Sequence, residues 1–164
     1  MIKYILWTGV ILFTFFIEER ISIFHVAPNF AVLLVYYAGI RKGELEGLFL
    51  GAIVGTVQDS LSGSFLGPNL LSKSIIGYFS SFMSGSFFRW TPLLGAIGIG
   101  VLTMVDNTIV FATRSFFDRM PTSFKAVAFK IIVQSLINVP LGLLLKPQNI
   151  QRPGSYDFRH KKQW

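Results

Sequence analysis

Residues 28–77 read PNFAVLLVYYAGIRKGELEGLFLGAIVGTVQDSLSGSFLGPNLLSKSIIG. Two apolar segments and the start of a third are joined here by short polar turns, with glycines at positions 39, 43, 47, 51 and 55. An acid, Asp59, and a base, Lys73, stand where a membrane helix tolerates a charge only if it is paired or hydrated. Small residues at helical spacing and charges within apolar segments together point to a membrane bundle with a polar interior.

The rest of the chain fits that reading. Hydrophobic residues make up 52% of the sequence and charged residues 14%, against about 25% charged in a soluble domain. The mean hydropathy is +0.57. The 164 residues leave room for one domain. The sequence has no cysteine, which excludes disulfides and thiolate metal sites.

Six apolar segments can be set out along the chain. Lys3 precedes the first, Tyr4–Ile17, which has the n- and h-regions of a signal peptide. Glu18-Glu19-Arg20-Ile21 follows it rather than a small-residue cleavage site, so an uncleaved first helix is expected, with Ile21–Val26 available to lengthen it. The others are Asn29–Ile40, Glu44–Asp59, Pro68–Phe88, Pro92–Thr113 and Phe124–Leu145. Pro28, Pro68 and Pro92 stand near helix starts, where a missing N–H costs little. An open sheet cannot satisfy its backbone in lipid, and a closed barrel would show strict alternation. The expected fold is therefore all-α: a membrane bundle of about six helices over residues 1–145, followed by a basic cytoplasmic tail over residues 146–164.

With six helices both termini share one side. That side holds Lys3, Arg41, Lys42, Arg89 and the five bases of the tail, and the other holds Arg20, Arg114, Arg119 and Lys125. The positive-inside rule then puts both termini in the cytoplasm. This distribution and anionic lipid account for the formal charge of +7. No nucleic-acid fold signature accompanies the scattered bases, so no nucleic-acid partner is expected.

Gly47, Gly51 and Gly55 share one face of the third segment. Lacking side chains, they let a neighbouring backbone approach closely. That face is a candidate for packing within the chain or for receiving a partner's helix. The intramembrane charges can be placed by depth. At 1.5 Å per residue, Lys73 lies about 8 Å, Asp106 roughly 10 Å and Lys130 about 9 Å from the outer ends of their helices, with Asp59 at the outer surface. Asn69, Asn107, Gln134 and Asn138 add polar groups on neighbouring turns. A buried polar layer opening outward is expected. A structural network, a partner-binding groove and a small-molecule site all suit it.

Catalytic residues are not evident: there is no G-x-S-x-G, no H-E-x-x-H and no phosphate-cradling loop. Ser60, Ser62 and Ser64 lie near Asp59 and Lys73, and a Ser–Lys dyad is chemically possible. Serines in a glycine-containing turn are more often turn residues. No metal site and no cofactor are expected.

Several of these residues carry a resemblance. Pro28-Asn29, the glycines 43, 47, 51 and 55, Asp59, Leu66-Gly67-Pro68-Asn69 and Gly77-Tyr78 resemble the motifs of the rod-shape-determining MreD family. Asn29 stands where Asp is common there, Gln58 replaces an apolar residue, and the basic tail is not a family hallmark. The resemblance implies a non-enzymatic inner-membrane subunit of the bacterial elongation machinery. Such subunits work with the single-span protein MreC, linking MreB filaments to the RodA glycosyltransferase and its transpeptidase partner. It also implies a fold similar to the S-components of energy-coupling-factor transporters. A vitamin-binding S-component, its pocket lined by Asp59, Asn69, Lys73 and Asp106, is the alternative.

Overall fold

A computed structural model describes residues 26–63, 66–83, 91–117 and 123–143, together with Gly9 and Phe13. The expected first helix and the basic tail otherwise lie outside the described residues. Within them the fold is all-helical. The helices are α1 (Phe30–Lys42), α2 (Glu44–Leu61), α3 (Pro68–Ser80), α4 (Pro92–Phe117) and α5 (Phe124–Gly142), and a 3₁₀ turn, Ser81–Met83, continues α3.

The boundaries differ from the expected ones at the ends. Helix α1 takes in Arg41 and Lys42, whose charges favour the C-terminal end of the helix dipole. Helix α4 runs four residues beyond Thr113, and α3 tightens into 3₁₀ geometry at Ser81; residues 84–88 of the expected segment lie outside the described residues. Two turns depend on glycine. Gly43, at φ +100°, separates α1 from α2, and Gly67, at φ +143°, precedes α3. Side chains are strained in that region of backbone space.

Helix α1 has 13 residues and is about 20 Å long, short of the ~30 Å hydrocarbon thickness. It does not face lipid on most of its surface: Ala31, Val32, Leu33, Val35, Tyr36, Ala38, Gly39 and Ile40 are all buried. It forms the centre of the apolar core, with Val54 of α2, Ile76 of α3, and Ile99 and Leu102 of α4 around it.

The glycine row packs against the chain itself. A methyl group at Gly47 would collide with the Gly77 carbonyl, one at Gly51 with the Lys73 carbonyl, and one at Gly55 with the backbone of Asn69 and Leu70. Gly77 meets Gly47 in return. Helix α2 thus lies backbone to backbone along α3. The face considered for a partner's helix is filled by α3, so packing within the chain is the use the fold makes of it. Gly142 similarly seats α5 on Gly95, Ala96 and Ile99 of α4.

The surface is inverted relative to a water-soluble protein. Leu45, Phe49 and Ile53 line the outside of α2, Leu93, Ile97 and Val101 that of α4, and Phe129, Ile132 and Leu136 that of α5. Helices α4 and α5 are long and apolar enough to cross a membrane. An apolar exterior around buried Asn, Asp, Lys and Gln side chains is what lipid as solvent selects.

Candidate functional site

Most of the buried polar side chains form one hydrogen-bonded arrangement that draws on all five helices. Asp59, at the end of α2, is fully buried. Its carboxylate accepts from the N–H groups of Gly67 (2.9 Å), Asn69 (3.1 Å) and Leu70 (3.0 Å), and from Nδ2 of Asn69 (2.8 Å). The first N–H groups of a helix have no partner within it. Gly67 supplies no capping side chain, and Pro68 has no N–H to offer. Asp59 reaches across the loop and caps α3 in their place, where its charge also favours the positive end of the dipole.

Asn69 joins this cap to the next station. Its Oδ1 accepts from Nζ of Lys73 at 3.3 Å. The same ammonium donates to both oxygens of Asp106 on α4, at 3.0 and 2.9 Å, and each residue of the pair is 1% exposed. Ser72 donates to Asp106 Oδ1, and Asn29 donates to Oδ2 at 2.8 Å. The three ammonium protons and both carboxylate oxygens are therefore occupied. A buried charge pair is tolerable when it is saturated in this way.

Asn29 is the hinge of the arrangement. Its Oδ1 accepts from the Val32 N–H and caps α1, while its own N–H donates to Asn138 Oδ1 on α5 at 3.2 Å. Asn138 Nδ2 returns a bond to the Asn29 carbonyl and another, at 3.0 Å, to Thr103 Oγ1. Gln134 donates to the Ala27 carbonyl at 2.7 Å. The non-helical stretch before α1, with Pro28 buried in it, thus has backbone groups satisfied by α5 side chains. Such backbone is stable at membrane depth only when it is buried in protein.

The structure therefore brings together Asn29, Asp59, Asn69, Lys73, Asp106, Gln134 and Asn138. Pro28 and Gly67 shape the loops that lead into α1 and α3. Asn107 lies one residue off: it is half-buried and donates to the Thr103 carbonyl of its own helix. Lys130 stands apart, exposed on α5. It stands four residues before Gln134 and so shares that side of the helix, but α5 is largely uncovered at this level. Two contributors went unforeseen, Ser72 and Thr103. Their signal was weak, a hydroxyl beside Lys73 and another three residues before Asp106. Gln134 Oε1 and Ser135 Oγ are buried without a hydrogen-bond partner.

The arrangement is built to hold rather than to react. Lys73 is clamped by Asp106, so the Ser–Lys dyad does not form. The hydroxyls of Ser60 and Ser62 bond instead to the Thr56 and Asp59 carbonyls, and Ser64 lies outside the described residues. Among the described residues no group of His, Asp and Glu could hold a metal ion.

An all-helical bundle with an apolar exterior and a hydrogen-bonded polar layer inside belongs to the integral membrane proteins. The family comparison is specific: the family model for rod shape-determining protein MreD matches residues 1–146. The chain belongs to the MreD family. No curated protein and no solved structure matches it.

Proposed function

We propose that this chain is a multi-pass subunit of the bacterial cell-elongation machinery, without enzymatic activity, that binds MreC and helps organise peptidoglycan synthesis. Family membership carries this reading, since MreD proteins are shape-determining membrane components. The partners follow from it: MreC directly, and the RodA glycosyltransferase, its transpeptidase and MreB through the assembly. We take the bundle to be S-component-like, with six spans and both termini in the cytoplasm.

The hydrogen-bonded network around Lys73 and Asp106 supports a scaffold over a vitamin-binding S-component. Asp59, Asn69, Lys73 and Asp106, which would have to line a pocket, are committed to one another and to helix ends. A scaffold benefits from this. Each polar bond between helices fixes their relative positions, so the outer surface presented to a partner has one shape.

The test is co-expression with MreC from the same organism, followed by affinity purification in mild detergent. Co-purification should persist when the MreC soluble domain is removed. Failure of both folded proteins to associate would overturn the reading. Stabilisation of the isolated chain by a vitamin in a thermal-shift screen would favour the transporter instead.

A further inference from the structure

Helix α5 is the least enclosed of the bundle in its first half. Phe124, Phe129, Ile132 and Leu136 are exposed, as are Lys125 and Lys130. The ion pairs within the described residues are Lys42 with Glu46 and Lys73 with Asp106. Neither lysine of α5 takes part. The acids described cannot serve them: Asp59 caps α3, Asp106 is saturated, and Glu44 and Glu46 open α2 at the opposite end of the bundle, near the Gly47–Gly77 crossing. Two cations thus stand among exposed apolar side chains of α5 with no counter-charge from these groups.

We propose that the end of the bundle where α4 finishes and α5 begins binds anionic phospholipid headgroups through Lys125 and Lys130. The proposal rests on the membrane reading of the fold.

Two geometric features favour a lipid over an acidic side chain of a partner. The lysines are five residues apart, which at 3.6 residues per turn puts them about 140° apart around the helix. A single carboxylate cannot meet both, whereas a headgroup layer surrounds the helix at one depth. Lys130 also lies about 9 Å along the axis from Phe124. Helical side chains lean towards the N-terminus, so its stem climbs along the apolar face and carries the ammonium towards the level of Lys125. Phe129 and Ile132 then lie below the charges, at the depth of the upper acyl chains.

The full chain, in nanodiscs of mixed phosphatidylglycerol and phosphatidylcholine, is to be released into a mass spectrometer under native conditions and its retained lipids counted. The wild-type chain should retain phosphatidylglycerol in preference. The double variant K125Q/K130Q should lose retention about five-fold for each lysine removed, and K125R/K130R should keep it. The basic tail is the same in every variant and cancels. Since neither lysine makes an ion pair or hydrogen bond among the described residues, helicity by circular dichroism should not change. Equal retention by wild type and K125Q/K130Q overturns the proposal. So does loss of a protein partner in K130Q with lipid retention unchanged, because the counter-charge is then a carboxylate. A chain that fails to insert overturns the membrane reading as well, which separates the two failures.

Discussion

Removing the ammonium at the centre of the network is the sharpest test of its role. Lys73→Met keeps most of the stem's length and apolar volume. It deletes the three bonds to Asn69 Oδ1 (3.3 Å) and to the two oxygens of Asp106 (3.0 and 2.9 Å). Asp106, 1% exposed, keeps only Asn29 and Ser72 as donors from other helices. Breaking a buried pair from one side costs about 3–5 kcal/mol, because the remaining charge is uncompensated. At about 1.4 kcal/mol per tenfold, this is at least a hundredfold shift towards the unfolded bundle. Asp106→Asn should cost a similar amount by stranding the ammonium. The double variant K73M/D106N removes both charges, and its amide still accepts from Ser72 or Asn29, so it should recover at least half of the loss. The assay is reversible unfolding in mixed micelles, titrated with sodium dodecyl sulfate and followed by circular dichroism. A double variant as unstable as the sum of the two single variants would refute the claim that these charges act as a pair.

Substitutions at four other positions probe separate parts of the structure in the same assay. Gly51→Ala should cost about 2 kcal/mol or more, because the new methyl meets the Lys73 backbone rather than a side chain that can move. An unchanged midpoint would mean that α2 and α3 are not in close contact. Asp59→Ala should cost about 2 kcal/mol by uncapping α3. Asp59→Asn should not restore it, since its NH₂ would oppose N–H donors, and full rescue by Asn would count against the cap. Ser135→Ala should leave stability within about 0.5 kcal/mol or raise it, because it removes a buried hydroxyl without a partner. Asn138→Ala, which loses bonds to Asn29 and Thr103, should cost about 2 kcal/mol or more. Equal effects at the two positions would contradict the assigned bonding.

Periodicity carries some of this architecture openly and hides the rest. The spacing of Gly47, Gly51 and Gly55 announces that a backbone comes close, because only a missing Cβ permits it. It does not name the backbone. A G-x-x-x-G face looks the same whether the neighbour is α3 or another protein's helix, and only the fold shows it occupied. Proline positions and apolar run lengths mark helix starts well. Helix ends are less legible, since α4 continues through Arg114 and the 3₁₀ turn replaces part of the expected fourth segment.

The polar layer is legible in depth but not in how far the bundle encloses it. Rise per residue alone puts Lys73, Asp106 and Lys130 at similar heights, and two of them meet. The third is misread because Lys130, Gln134 and Asn138 stand four apart and read as one polar face, whereas the bundle encloses only Gln134 and Asn138 of the three. Pairing is hidden for a related reason. Lys73 and Asp106 are 33 residues apart, and nothing local distinguishes Asp106 from Asp59 as the partner. What separates them is backbone geometry. Gly67 and Pro68 leave the first N–H groups of α3 without a local cap, and Asp59 is the carboxylate close enough to take them. Once it is used there, Lys73 has Asp106 as its counter-charge, and α3 and α4 are held together at that level. The loop's glycine and proline thus decide, through the N–H groups they leave open, which ion pair forms one turn deeper in the bundle.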